Sequence, residues 1–213
     1  MSDVDFKWLL IDSCGATATL AAGRGELVLA TETVAGRAFS AEWPAVLRRL
    51  MAVAEWKIDE VQAVAVVHGP GSFTGVRVGL AAAKGLCEAV GSKLIATSRL
   101  EVLSQQGTAG GLAVLDAGRD EFYVRDAGTE FLTGRAELLA ASQGRTVVTA
   151  DQRVAEVCAD TIVVQLDATS ALPIVLRRWS EGRFDEVASI DANYVRSERD
   201  IYARKTSAVG DGK

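Results

Sequence analysis

The segment His68-Gly69-Pro70-Gly71-Ser72-Phe73-Thr74-Gly75 lies between an apolar run, Val61–Val67, and a helical pattern from about Val76 to Val90. A strand, a glycine-bearing turn and a helix in that order bring backbone N–H groups together where an anion such as a phosphate can sit. Ser72 and Thr74 carry hydroxyls that either donate to that anion or cap the helix. Spacing leaves both readings open. The segment fits neither G-x-x-x-x-G-K-[ST] nor G-x-G-x-x-G, and a tight turn that only starts a helix uses the same residues. Asp12 ends the apolar run Phe6–Asp12 and precedes Ser13-Cys14-Gly15-Ala16-Thr17. A carboxylate in that place holds magnesium, orients a phosphate, or simply caps its own turn. Asp116-Ala117-Gly118-Arg119-Asp120 repeats the pattern after Leu112–Leu115, which hints at a clamp made of two lobes. His68 has no second ligand candidate near it in sequence and reads as a hydrogen-bonded turn residue.

These residues need elements to hold them. Phe6–Asp12, Ala16–Ala22 and Glu26–Val34 read as strands, the last two joined by a Gly23-Arg24-Gly25 hairpin turn. Trp43, Val46, Leu47, Leu50, Met51 and Ala54 recur at helical spacing, with Pro44 suited to a first turn. Val61–Val67 is continuously apolar, as in a strand covered on both faces. The helix after the glycine turn carries two apolar stripes: small Gly79, Ala82, Ala83 and Leu86, then Val76, Leu80, Cys87 and Val90. A helix apolar on two sides is either sandwiched inside its own fold or covered by another chain. Lys93–Thr97, Leu112–Asp116, Glu121–Arg125, Val147–Ala150 and Thr161–Val164 read as further strands, and Ser98–Gln106 and Pro173–Glu181 as helices. The pattern predicts an α/β protein with a first lobe over 1–106, a smaller second lobe over 107–189, and a segment 190–213 that returns to the first lobe and frays at its end.

Composition narrows the chemistry. The 213 residues are 49% hydrophobic and 24% charged, enough to bury a core. The longest stretch free of Asp, Glu, Lys and Arg is Val61–Val76, and it is broken by His68, Pro70 and three glycines; a membrane-spanning helix is not expected. Asp3 and Asp5 precede the first apolar run, unlike a cationic secretory leader, so a cytoplasmic location is expected. Cys14, Cys87 and Cys158 are isolated, as in a reducing compartment. A net charge of −5 argues against nucleic-acid binding through the overall field. Arg177, Arg178, Arg196, Arg199, Arg204 and Lys205 are interleaved with acids and read as a solvated face. A single histidine disfavours zinc and non-haem iron sites, which draw on paired His or clustered Cys.

Gly69-Pro-Gly-Ser-Phe-Thr-Gly-Val-Arg-Val-Gly79, followed by Ala83-Lys-Gly-Leu86, resembles the signature of the bacterial TsaB (YeaZ) family. Leu10-Ile-Asp-Ser13, Thr97-Ser-Arg-Leu-Glu101, Asp116-Ala117 with Glu121 and Tyr123, and Tyr194-Val-Arg196 extend the resemblance over most of the chain. Two places depart from it: Gly36-Arg-Ala-Phe-Ser40 stands where the family carries a polar, His-containing segment, and Ala192-Asn193 where a proline is usual.

The resemblance implies the two-lobed fold of actin, sugar kinases and Hsp70, with a shortened second lobe. It implies a non-catalytic subunit that pairs with TsaD for threonylcarbamoylation of adenosine 37 in tRNA, with the ATPase TsaE joining and tRNA contacted through the complex. TsaD holds its metal with a His-x-x-x-His motif that this sequence lacks; no catalytic or metal-binding residue is therefore assigned. Pairing through the first-lobe helices would place Trp43, Val46, Leu47, Leu50, Met51, Val76, Leu80, Ala83 and Cys87 at the partner interface, and the same face would let the isolated chain pair with itself. Asp12, Gly69, Gly71, Ser72, Thr74, Gly75 and Asp116 would be a vestigial phosphate loop. No cofactor is expected to bind strongly to this chain alone, and ATP or ADP would enter within the complex. The competing reading is an ATP-dependent phosphotransferase with magnesium on Asp12 and Asp116. A metalloprotease is disfavoured by the lack of paired metal ligands.

Overall fold

The computed structural model describes residues 5–195. The basic residues Arg196, Arg199, Arg204 and Lys205, and the tail 206–213, lie outside the described residues. Among the described residues there are two five-stranded sheets. The first is built from β1 (Lys7–Asp12), β2 (Thr17–Arg24), β3 (Leu27–Ala35), β4 (Ala63–Val67) and β5 (Lys93–Thr97), in the order β3-β2-β1-β4-β5. The first three strands run antiparallel in succession, while β1, β4 and β5 are mutually parallel. Gly25 takes φ 53° in the β2–β3 turn, a conformation open to glycine. Every residue of β4 is buried, because helices cover both faces of the sheet centre.

On one face lie α1 (Phe39–Ala54), over β2 and β3, and α2 (Phe73–Val90), over β4; the two helices touch. Val46 and Leu50 of α1 are fully buried, each contributing about 1.5–3 kcal/mol by leaving water. Ser72 caps α2, accepting from the Gly75 amide, and Gly91 ends it at φ 74°. The other face is covered by α6 (Leu172–Ser180), with Ile174 and Val175 buried and Trp179 stacked on Phe6 at 3.9 Å.

The second sheet has the order β10-β9-β6-β7-β8, from β6 (Leu112–Gly118), β7 (Glu121–Asp126), β8 (Thr129–Gly134), β9 (Val147–Thr149) and β10 (Thr161–Val163). Helices α4 (Arg135–Ala141) and α5 (Gln152–Val157) pack on it through Leu138 and Val154. Helix α3 (Arg99–Ser104) leaves β5 and seats Leu100 and Leu103 against Ala113, Leu115 and Val148 of the second sheet. It therefore joins the two halves. The architecture is a two-lobed α/β fold with a five-stranded sheet in each half. No helix among the described residues is long and apolar enough to cross a membrane.

The assignment of 107–189 as a second lobe needs correction. Ala168, Ala171, Leu172, Ile174 and Val175 belong to the first sheet's core, and Asp185 bridges Leu94 and accepts from the Ala96 amide at 2.7 Å. Residues from about 168 onwards return to the first lobe because α6 carries an apolar face that the open side of the first sheet buries.

Candidate functional site

The parallel strands β1, β4 and β5 end at one edge of the first sheet, so the turns that follow them meet there. The turn after β1 and the glycine turn after β4 are bound together. The Ser72 amide donates to the Cys14 carbonyl at 2.8 Å, and the Ser13 hydroxyl donates to the Gly75 carbonyl at 2.7 Å. The approach is so close that a Cβ on Gly71 would collide with the Cys14 carbonyl, and one on Gly75 with the Ser13 carbonyl. These glycines are there for contact between the two turns. Gly69 takes φ 109°, and its carbonyl accepts from the Arg99 amide at 2.7 Å, which ties in the third turn.

Asp12 is 5% exposed and accepts from the Cys14 amide at 2.9 Å, capping its own turn. The Cys14 thiol donates to the Val67 carbonyl at 3.1 Å. Burial, with the Asp12 charge beside it, pushes that thiol well above the usual range. The His68 ring faces the Asp191 carbonyl at 3.0 Å, and its backbone pairs with Thr97 and Asn193. Across the cleft, Asp116 accepts from the Gly118 amide at 2.9 Å and lies 3.4 Å from Arg153; Asp151 accepts from the Asp116 amide at 2.9 Å. Among the described residues no three His, Cys, Asp or Glu side chains are grouped to hold a metal ion.

The two halves enclose a cleft of about 820 Å³, within the size range of small-molecule sites. Gly71, Ser72, Thr74, Gly75 and Asp116 all line it. Asp12 lies instead in an adjoining recess of about 300 Å³, and Gly69 supports the turn from behind. Sequence reasoning did not assign Arg37, Arg99, Tyr123 and Asp151, which line the same cleft. For Arg99 a signal existed: it follows a strand parallel to β4, and so must emerge beside the glycine turn.

The expected partner-interface residues need correction. Val46, Leu50, Met51, Val76, Leu80, Ala83 and Cys87 are buried in the chain's own core, and Trp43 and Leu47 pack half-buried against it. Apart from half-buried Val90, both apolar stripes of α2 are used internally, because the helix lies on β1, β4 and β5 beside α1. The surface that α1 and α2 turn outwards is another one. Ala41, Pro44, Arg48, Ala52 and Val53 are exposed on α1, and Ala81, Gly85 and Ala89 on α2. Among the described residues nothing lies within 4 Å of a Cβ placed on Gly85.

A family model described as TsaD, tRNA N6-adenosine threonylcarbamoyltransferase, matches residues 31–156, more than half the chain. A 71-residue segment is 37% identical to the tRNA threonylcarbamoyladenosine biosynthesis protein TsaB of Escherichia coli, covering 31% of either chain. The chain belongs to this family, and the segment matched to TsaB makes it similar to the TsaB (YeaZ) members. A Mycobacterium leprae protein is 40% identical over 73 residues, 34% of this chain and 20% of its own. The matches thus span only a fifth to a third of these curated relatives. YeaZ from Pseudomonas aeruginosa has the same fold: the TM-score is 0.75 at 20% identity, covering 89% of this chain and 99% of that one. A second Pseudomonas aeruginosa structure, of a protein with similarity to peptidase YEAZ, gives 0.76 at 22% identity, covering 90% of this chain and 100% of that one.

Proposed function

We propose that this chain is a non-catalytic partner subunit for a TsaD-type enzyme that makes N6-threonylcarbamoyladenosine in tRNA, working in the cytoplasm. Family membership supports the pathway. The observation that carries the partner role is the outward strip of α1 and α2, and Gly85 above all. A glycine inside an exposed helix costs about 1 kcal/mol relative to alanine, and nothing among the described residues uses the space it leaves. A second helix laid across α2 would use it, since small residues let two helices approach closely. The two helices offer one continuous face on which a related first lobe can dock, forming a four-helix contact. About 800 Å² per partner suffices for a specific complex. A TsaE-type ATPase and tRNA join the assembly through the pair, and the isolated chain self-associates weakly through the same strip.

The non-catalytic reading rests on the single histidine of the sequence, with its ring against the Asp191 carbonyl, and on Asp12 and Asp116 each serving its own turn. The test is co-elution of the chain with the TsaD-type protein of the same organism, alongside tRNA-modification assays of each alone and of the pair. Modification that requires both proteins, and a complex that survives gel filtration, support the reading. Turnover by the purified chain alone, or no complex at micromolar concentrations, refutes it.

A further inference from the structure

Among the described residues the chain crosses between its lobes ahead of β6 and again after β10, and β9 alone separates those two strands. A further link reaches the second sheet at its opposite edge, β8. It is the segment 190–195, and its first half belongs to the first lobe. Ile190 and Ala192 pack with the first-sheet core. The Asn193 amide donates to the His68 carbonyl at 2.7 Å, and the His68 ring meets the Asp191 carbonyl at 3.0 Å. The second half reaches across. The Asn193 side-chain amide donates to Glu130 of β8 at 2.8 Å, and the other oxygen of Glu130 holds Arg125 at 2.9 Å. The Glu130 side chain is only 15% exposed, so this charge-assisted bond is shielded from water. Val195 then packs against Leu100, Leu103 and Leu115, between α3 and the second sheet.

The same segment is fastened to α2. Arg77 and Lys84 are the only cations of that helix. Lys84 Nζ donates to the Ile190 carbonyl at 3.0 Å, and Arg77 Nε donates to the Tyr194 hydroxyl at 2.6 Å while its guanidinium lies 3.9 Å over the Phe73 ring. From Arg77 to Lys84 the helix rises about 10 Å, and the step from Ile190 to Tyr194 can span about 13 Å. The segment therefore runs alongside α2 against its direction, as a strap with two fastenings. It also crosses the glycine turn, where a Cβ on Gly69 would lie 3.1 Å from the Asn193 carbonyl. The far end has leverage, since β8 lies two strand spacings beyond β6, about 10 Å. A turn of the second lobe by about 15° around an axis along β6 would carry Glu130 about 2.6 Å, which a hydrogen bond of ordinary length does not survive.

We propose that the segment 190–195 is a latch, which sets the angle between the lobes and so the width of the cleft, and which carries contacts made at Arg77 and Lys84 across to the second lobe. With Asn193 seated on Glu130 the cleft is held as described above. Released, the second lobe turns about its crossings. The latch stands whatever occupies the cleft, and it does not rest on the partner role.

The test is the distance distribution between spin labels on the full chain, attached at Thr31→Cys of β3 and Ala136→Cys of α4. Both positions are exposed, and the native cysteines are buried. A narrow distribution is expected. Asn193→Asp sets a carboxylate against Glu130 and should shift or broaden it by about 3 Å or more. Adding Glu130→Gln exchanges donor and acceptor across the same contact and should narrow the distribution again, which lost packing alone would not allow. Arg77→Met with Lys84→Met should broaden it too, although both residues belong to the first lobe; Arg183→Gln should leave it unchanged. Hydrogen exchange on the unsubstituted chain requires no variant to fold: the Asn193 amide should exchange at least about a hundredfold more slowly than in an open chain. The latch is overturned if folded Asn193→Asp keeps the original distribution, or if the exchanged pair fails to narrow it. It is equally overturned if the α2 pair changes nothing, or if the Asn193 amide exchanges at the open-chain rate.

Discussion

Gly85→Arg places a long cation on the open side of α2, and the structure sets what it should do to the chain alone and to the complex. Among the described residues nothing lies within 4 Å of the new Cβ, so they accommodate it without clash. Glycine costs about 1 kcal/mol in a helix interior relative to residues such as Ala or Arg, so the isolated chain should gain up to that amount. For a domain of this size the melting point should rise by about 2–4 °C. In a complex seated on Ala81, Gly85 and Ala89 the same side chain would be driven into a close helix contact. An uncompensated charge buried there costs about 3–5 kcal/mol, which is a hundredfold or more in Kd. The assay pairs thermal melting of the chain alone with calorimetric or co-elution titration against the TsaD-type protein, using Gln143→Arg on the second lobe as control. A Kd within threefold of the original, with the fold intact, would refute the docking argument. Leu80→Asp answers a different question. Leu80 is 5% exposed, so a carboxylate there should unfold the chain and leave the interface untested.

Three further outcomes follow from the geometry. Gly75→Ala drives a Cβ into the Ser13 carbonyl, a backbone atom with little room to yield; it should cost about 3 kcal/mol and lower the melting point by about 6–12 °C, and an unchanged melt would mean the two turns are not locked. The Arg145 guanidinium, bonded to Asp126, holds that carboxyl below its usual range. Its contribution is therefore present above the unfolded carboxylate pKa and fades as pH falls through the lower folded value; Asp126→Asn should lower the unfolding free energy measured in urea at pH 7 by no more than about 1 kcal/mol for a pair this exposed, and by almost nothing near pH 2. The three cysteines are buried and burial raises their thiols, that of Cys87 to about 11; a thiol reagent at pH 8 should label the native chain at least about a hundredfold more slowly than the urea-unfolded one, and rapid labelling of the native chain would contradict the burial.

Much of the first lobe was legible because its signals are local and strong. The hairpin glycines, the apolar run Val61–Val67 and the stretch Lys93–Thr97 became β2, β3, β4 and β5 within a residue or two. The second lobe was less so. Strand β8 has Glu130, Thr133 and Gly134 among its six residues, and α4 and α5 are seven and six residues long, burying one side chain each. Segments that short lack enough turns for a period to show. The glycine turn could be located from the sequence, whereas its role in contacting the β1 turn could not, since that depends on Ser13 and Cys14 lying across from it.

The sequence by itself determined the elements, the family and the spacing of the glycine turn, because backbone propensity and apolar periodicity act within one segment. It determined that α2 is apolar on two sides, but the choice between an inner and an outer cover belongs to the tertiary structure. Packing decided it: α1 and the sheet bury both stripes, and what remains outside is the small-residue strip around Gly85. Packing likewise brought Arg99 into the cleft, more than twenty residues along the chain from the turn it faces. Burial and charge pairing are properties of neighbours in space, and neighbours in space are set only when the strands take their order.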